Sequence, residues 1–574
     1  MAPIAHNGSN GHHAQQPALT NGHSSTNGAS HAIPIVDPTA ARRPVEPLKV
    51  NSPNVQYTAE HIKSKYQYHT TDVVAGSDGT FEVTPREQVY EFQTQRKVNK
   101  TGLMLVGWGG NNGTTVTATI LANRHNISWN TRDGQQNPNY VGSLVRASTL
   151  RLGSNPTTGK DVNIPFSDVL PMVHPNDLVL GGWDISGMPL DKAMRRSKVL
   201  EWDLQRQLAP LMKDLVPLPS VVYGDFINAN QEDRSDNLLP GNDKQVHLEK
   251  IRKDIRDFKA TNGLDKVIVL WTANTERYAQ VIPGVNDTAD NLLHSIKNSH
   301  EEIAPSTVFA VASMLEGAPY INGAPQNTFV PGAIELAERE RAFIGGDDFK
   351  SGQTKVKSVL AEFLVNAGIK PLSIASYNHL GNNDGRNLNA QAQFRSKEIS
   401  KASVVDDMVE ANPLLYKPLL NKEKSAFGKA AYTTEHPDHC VVIKYMPAVG
   451  DNKRAIDEYN SELLMGGRNV MCIFNSCEDS LLATPLILDL ALLTELLTRI
   501  EYKKADQGSF ESFYSVLSLL SFMLKAPLVK PGEQVVNALS RQRSALENVF
   551  RACLSLQPNG DMELDNKLTW SVKA

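Results

Sequence analysis

The chain is poor in cysteine, in net charge and in uninterrupted apolar sequence. Its four cysteines, Cys440, Cys472, Cys477 and Cys553, are scattered through 574 residues without a C-x-x-C pair. That argues against a disulfide framework or a zinc site and for reduced thiols in a cytoplasmic protein. A net charge of −4 with 21% charged residues lacks the basic excess that nucleic acid or an acidic membrane surface would attract. No charged side chain precedes Asp37, and no apolar core of signal-peptide length follows the start, so a secretory leader is not expected. The one long apolar run, "SLLATPLILDLALLTELLTRI" (480–500), contains Pro485, Asp489, Glu495 and Arg499. Charges near the middle of a spanning helix are costly, so it reads as a buried core helix.

With 40% hydrophobic residues over this length, the sequence can build two to four folding units. Residues 1–45, rich in Gly, Asn, Ser, His and Ala, read as a disordered tail. His6, His12, His13, His23 and His31 lie there, and a solvated tail explains them better than a metal site; metal binding elsewhere is left unknown. From about residue 100, short apolar segments alternate with helical patterns, the signature of a doubly wound α/β unit. Strands are expected at 103–107, 177–186, 220–226, 266–273 and 306–313, and helices at 191–212 and 245–263. A second α/β region opens with "FIGGDDFKSGQTKVKSVLAEFLVNAG", a glycine turn and a helix stopped by Gly368, and continues through "PLSIASYNH", "HCVVIKYM" and "NVMCIFNS". Residues 480–556 carry two long helical patterns.

The stretch "LMLVGWGGNNGTT" (103–115) runs from a strand into a glycine loop and a helix expected to start at Thr114. Gly107 and Gly109 begin the dinucleotide fingerprint G-x-G-x-x-G, but Asn112 stands where the third glycine belongs and Gly113 comes one residue late. Spacing alone leaves cofactor loop and structural turn equally placed, and Asp133, in a polar loop, is badly sited for a ribose. Other strand ends favour a site: Asp184 in "GGWDIS" and Thr272, Ala273, Asn274 and Thr275 in "WTANTERY" would face the crevice at the carboxyl ends of a parallel sheet. Taken singly, each is also explained as a helix cap or turn. In "SYNHLGNNDGRNL", Asn378, Asn382, Asn383 and Asp384 are turn formers that would equally suit a polyhydroxylated ligand. Lys397 and Lys401 share a helical face, where a solvated surface is the ordinary explanation and an anionic ligand the alternative. Lys444 and Lys525 are lone cations in apolar runs, which snorkel to water or, if desolvated, become useful as acid, base or carbonyl partner.

Together "GWGGNNGTT", "WTANTERY", "IGGDDFKSGQTK", "SYNHLGNNDGRNL", "RSKEISK" and "CEDSLLATPL" resemble the eukaryotic inositol-3-phosphate synthase (myo-inositol-1-phosphate synthase) family, from about residue 50 to the C-terminus. The resemblance implies a cytoplasmic, homotetrameric isomerase that turns D-glucose 6-phosphate into 1D-myo-inositol 3-phosphate, the first step of inositol and hence inositol-phospholipid synthesis. NAD would be reduced and reoxidised within one turnover of C5 oxidation, enolisation, aldol cyclisation and re-reduction. It places NAD contacts at Gly109, Gly110, Asn111, Asn112, Asp184, Ser220, Gln231, Arg234, Thr272, Ala273, Asn274 and Thr275. It adds Gly323, Ala324, Asp348, Ser351, Asn382, Asn383, Asp384, Asp451, Asp479 and Ser480, and makes Asp348, Asn378, Lys397, Lys401, Lys444 and Lys525 catalytic. In that scheme Lys397 polarises the C1 aldehyde, Lys525 helps remove the C5 hydroxyl proton, and Lys401 with Lys444 holds the phosphate and the enolate.

The implied layout is a Rossmann-type NAD domain over 94–354, an α+β catalytic and tetramerisation domain over 355–472, and a central domain joining 46–93 to 473–574. Nucleic-acid and membrane partners are not expected. A net NAD-linked sugar-phosphate dehydrogenase, a class I aldolase-like enzyme with a lysine Schiff base, and a non-enzymatic NAD-binding scaffold are the rival readings.

Overall fold

The computed structural model describes residues 47–423 and 432–559; the tail expected over 1–45 lies outside them. Strands β1 (Val55–Tyr57), β2 (His61–Ala75) and β3 (Phe81–Gln95) form an antiparallel meander. At its base Ile62, Ser64 and Tyr66 are buried while Lys63, Lys65 and Gln67 are exposed, the period-two alternation of a half-buried strand.

Strands β4 (Thr101–Val106), β5 (Val179–Asp184), β6 (Leu218–Pro219), β7 (Lys266–Trp271), β8 (Tyr320–Asn322) and β9 (Ile344–Gly345) build a six-stranded parallel sheet in the order β6-β5-β4-β7-β8-β9. This is the dinucleotide-binding order, with its switch point between β4 and β7. Every β4 residue is buried: Leu103 and Leu105 face one core and Met104 and Val106 the other, which is why the strand reads as continuously apolar. Helix α1 (Asn111–Arg124) follows β4 directly. Helix α2 (Lys244–Thr261) is capped by Asp243, which accepts from the Gln245 and Val246 amides, and ends before Gly263 at φ +55°.

Three expectations need correction. Residues 306–313 are not a strand but the interior of α3 (Pro305–Leu315), in which Pro305–Met314 are all buried; an all-round apolar run carries no period that separates strand from helix. Only Leu218–Pro219 and a bridge at Ser220 represent the strand expected at 220–226, whose remainder turns across the crevice. The single helix expected at 191–212 is two, Leu190–Ser197 and Trp202–Met212, broken where Lys198 takes a left-handed φ of 52°.

Helix α4 (Gly352–Asn366), stopped at Gly368 (φ +75°), leads into β10 (Lys370–Leu380), helix α5 (Gln391–Ala402) and strands β11 (Asp438–Tyr445), β12 (Asn452–Glu462) and β13 (Arg468–Glu478). These strands form a mixed sheet in the order β11-β10-β12-β13. Next comes α6 (Asp479–Leu497), long and apolar enough to cross a membrane by length and composition, yet 89% buried within the molecule. Two of its acidic residues are paired internally: Asp489 accepts from Ser143 and the Leu144 and Val145 amides, and Glu495 pairs with Arg499. Strands β14 (Ile500–Lys504) and β15 (Glu511–Ser512) extend the N-terminal sheet beyond β3, so the two ends of the chain share one sheet. Helix α7 (Leu539–Ala552) closes the fold. All four cysteines are free thiols.

Candidate active site

The crevice at the carboxyl ends of β4 and β7 opens into a cavity lined by the loops that follow both strands. Gly107 (φ +94°) lets the loop after β4 pass Ala273, whose Cα a side chain at 107 would meet at 2.8 Å. Gly110 is the N-cap of α1, so Asn111 and Asn112 form its first turn, three residues earlier than the expected start at Thr114. First-turn amides have no partner within a helix and carry its positive end. The late glycine has a packing reason: a Cβ at Gly113 would lie 2.2 Å from the Trp108 carbonyl oxygen, whereas Asn112 lines the cavity. A Cβ at Gly109 would stand 3.2 Å from the Asp184 carboxylate.

Of the expected cofactor residues, Gly110, Asn111, Asn112, Asp184, Ser220, Arg234, Thr272, Ala273, Asn274, Asn382, Asn383, Asp384 and Ser480 line this cavity. Asp184 is buried, its carboxyl pushed up by desolvation and drawn back by Arg234, 3.7 Å away, and by the Ser186 amide. Gln231 acts from behind, accepting from Asn274 at 3.0 Å and Asn383 at 2.8 Å. Asp384 accepts from the Thr275 amide and hydroxyl, and Ser396 Oγ donates to the Glu276 carbonyl, so the end of β7 is tied to the elements bearing the lysines. Asp451 accepts from Asn111 Nδ2, the Ser480 amide and Ser480 Oγ. Asp479 accepts from Asn382 at 3.1 Å. Gly323 and Ala324 shape the adjoining floor: a Cβ at 323 would strike the Phe349 ring, and the Ala324 carbonyl receives the Asp348 amide. Ser351 is the N-cap of α4.

Asp133 sits at an exposed hairpin tip, away from any ribose role. Sequence reading missed Glu276, which is fully buried against the N-terminus of α3 and lines the cavity. Burial pushes its carboxyl up to about 8.

Next to the crevice lie the lysines. Asp348, at φ +61°, is buried and accepts from Lys397 at 3.0 Å, from Lys525 at 3.2 Å and from Ser400 at 2.7 Å. Burial alone would raise its carboxyl; the two ammonium groups overcome that and hold it far below the usual range. Lys525 is drawn down to about 7, chiefly by burial, with Asp348 opposing and Lys397 and Lys453 reinforcing. For Lys397 the balance reverses, since Asp348, Asp384 and Asp479 outweigh burial and raise it. Lys401 donates to Asn378 Oδ1 at 2.7 Å and is lowered by burial and by the neighbouring lysines.

Lys444 is not in this cluster. It pairs in register with His379, while its neighbour Ile443 pairs with the inward-facing Asn378, so alternation turns Lys444 to the exposed side of the sheet. The fourth lysine is Lys453, buried on the inward face of β12 with Nζ 3.5 Å from Asp479 Oδ1. The alternation Lys453, Ala455, Asp457, Tyr459 was the available signal for it. Among the described residues no three His, Cys, Asp or Glu side chains converge as a metal site.

The sequence model of a family described as myo-inositol-1-phosphate synthase matches residues 101–551. Inositol-3-phosphate synthase 1-A of Xenopus laevis is 58% identical over 523 residues, covering 91% of this chain and 89% of that one. Inositol-3-phosphate synthase 1 of Homo sapiens is 58% identical over 519 residues, covering 90% of each. The crystal structure of inositol-3-phosphate synthase from Caenorhabditis elegans superposes with a TM-score of 0.85 at 51% identity, covering 90% of this chain and 98% of that one.

Proposed function

The chain belongs to the myo-inositol-1-phosphate synthase family, and on that premise we propose that it isomerises D-glucose 6-phosphate to 1D-myo-inositol 3-phosphate with NAD as resident cofactor. The observation that carries this reading is the cluster of Lys397, Lys401, Lys453 and Lys525, the last three buried, in which Lys397 and Lys525 pair with Asp348 and Lys453 with Asp479, set beside a dinucleotide crevice. A net dehydrogenase needs one acid–base group; four clustered lysines suit a reaction that develops charge on several oxygens.

The crevice fits NAD: its glycines permit close backbone approach, the first turn of α1 offers amides to a pyrophosphate, and Asp184 is placed to accept ribose hydroxyls. Bound there, NAD would supply reversible hydride transfer to and from the sugar within one turnover. Lys525, with its value near 7, is suited to taking the C5 hydroxyl proton. Lys397, kept cationic by Asp348, polarises the C1 aldehyde. Lys401 and Lys453, in place of Lys444, hold the phosphate and stabilise the enolate oxygen, with the first-turn amides of α4 nearby. The substrate phosphate takes the C6 proton, and ring closure redistributes atoms without net loss.

Assembly as a homotetramer is supported by the outer face of the mixed sheet, where Tyr377, Ile456, Val470 and Phe474 are exposed together. A cytoplasmic location is in keeping with the free thiols. The test is incubation of purified protein with glucose 6-phosphate and NAD far below substrate concentration. Inositol phosphate should accumulate well beyond the NAD supplied; NADH accumulating in step with sugar consumed would instead establish a net dehydrogenase.

A further inference from the structure

Behind Lys401, between the inward face of α4 and the mixed sheet, lies a second, small cavity with room for about one water, lined by Gln353, Lys357, Ser376, Asn378, Lys401 and Asp457. Three polar atoms of these residues, Gln353 Oε1, Ser376 Oγ and Asp457 Oδ1, are buried without a hydrogen-bond partner. Buried polar atoms are nearly always satisfied, by protein or by ordered water. Two lysines in the wall disfavour a cation and Asp457 disfavours an anion, whereas a water can receive from a lysine and from the Ser376 hydroxyl and donate to Gln353 Oε1 and Asp457 Oδ1. Lys357, at the far side, places Nζ 2.9 Å from His439 Nε2 on β11. His439 is partly exposed, while Lys357 and Lys401 are buried.

We propose that water in this cavity passes protons between Lys401 and the Lys357–His439 pair, with Asp457, Gln353 and Ser376 holding that water in line. The proposal rests on the reading of Lys401 as part of the cyclising site. A proton leaving the Lys401 ammonium passes to the water, which gives one of its own to the Lys357 amine; Lys357 shares it with His439 Nε2, and the pair stores it. The return path resets Lys401, and no proton is gained or lost overall. A closed site needs such a store close by, because Lys401 has its direct hydrogen bond to Asn378 and is walled off from solvent.

The groups facing Lys401 are Lys453 and Asp457 from β12, Lys357 from α4, Asn378 from β10, His439 from β11 and Lys525 from the segment after α6. Burial draws Lys357 down to about 8, and burial with the Lys357 charge holds His439 well below its usual value. Lys357 can therefore give up its proton and take it back near neutrality without a large free-energy cost.

The experiment uses the full-length protein with glucose 6-phosphate and NAD. His439→Gln keeps a side-chain hydrogen-bonding group for Lys357 but cannot relay a proton; kcat should fall about tenfold or more with KM and NAD affinity unchanged. His439→Ala should fall similarly and be restored by added imidazole in a concentration-dependent way. Asp457→Asn should show an enlarged solvent deuterium isotope effect on kcat. Full turnover in His439→Gln, or a loss in His439→Ala that imidazole leaves untouched, would overturn the relay. Wild-type protein in the same assay separates the two readings: a wild type that makes no inositol phosphate refutes the function, and an active wild type with an equally active His439→Gln refutes only the relay.

Discussion

Lys525 Nζ lies 3.2 Å from both carboxylate oxygens of Asp348, and Lys397 Nζ lies 3.0 Å from one of them. One buried carboxylate thus holds two ammonium groups, and its removal leaves both without a counter-charge. Breaking a buried pair from one side costs about 3–5 kcal/mol. Asp348→Asn, nearly isosteric, should therefore lower unfolding stability in urea by that order at pH 7 and reduce kcat about 100-fold or more. Because the folded-state value of Asp348 is depressed, its stabilisation is complete above the unfolded value near 3.9 and is lost as pH falls towards the folded value. The stability gap between wild type and variant should accordingly narrow below about pH 4. A gap that is constant with pH would show that the pairing contributes nothing.

Lys453 and Lys444 offer a paired test of sheet alternation. Lys453 faces inward beside Asp479, and Lys444 faces outward beside His379. Lys453→Ala should cut kcat/KM for glucose 6-phosphate about 100-fold or more, as loss of a buried charge partner to substrate does. Lys444→Ala, assayed as the assembled protein at saturating substrate, should retain turnover within about twofold. The opposite ranking would return Lys444 to the site.

The same pair marks where sequence stops being legible. The parallel sheet, the glycine loop and the "WTANTERY" turn could be read because each carries local chemistry: glycine, caps and apolar runs at fixed offsets. Lys444 was assigned to the site by resemblance alone, and its facing is set by register against β10, which only the folded sheet defines. Residues 306–313 misled for a related reason, since burial on every side erases the period that distinguishes helix from strand. Gly113 was read as misplaced because fingerprint spacing assumes a helix starting at a fixed point; here α1 starts at Asn111, and the glycine falls where the helix crosses the Trp108 backbone.

Lys525 should set a visible pH dependence. Its folded value, drawn down to about 7 by burial, lies below the unfolded lysine value of about 10.4. If the neutral amine is the base, log kcat should rise with pH to a plateau just above 7, with an apparent pKa belonging to the lysine–aspartate cluster as a whole. Between the two values the unfolded chain holds the additional proton, so Lys525 contributes rising stability with pH across that window. Lys525→Met should lose turnover about 100-fold or more yet be at least as stable as wild type at pH 6, since Lys397 still pairs with Asp348 while the desolvation cost of the Lys525 ammonium is gone. Unfolding curves that show clear destabilisation of the variant at pH 6 would mean that the Asp348 pairing outweighs burial.

The glycine loop makes the sharpest local prediction, because its two neighbouring positions should fail in different ways. A Cβ at Gly113 would sit 2.2 Å from the Trp108 carbonyl oxygen, a backbone atom that moves only if the loop or α1 moves. Gly113→Ala should therefore cost about 1–3 kcal/mol of stability as an overpacked contact, and displacement of the first-turn amides should weaken NAD binding as well. Asn112 is different: it lines the cavity and makes no such close approach, so Asn112→Gly, which restores the common fingerprint, should cost well under 1 kcal/mol of helix stability. Calorimetric titration should nonetheless find NAD binding weakened in Asn112→Gly, with the melting temperature nearly unchanged. Unchanged affinity would mean that Asn112 only fills the first turn of the helix, and that the departure from the usual spacing exists to let Gly113 pass Trp108.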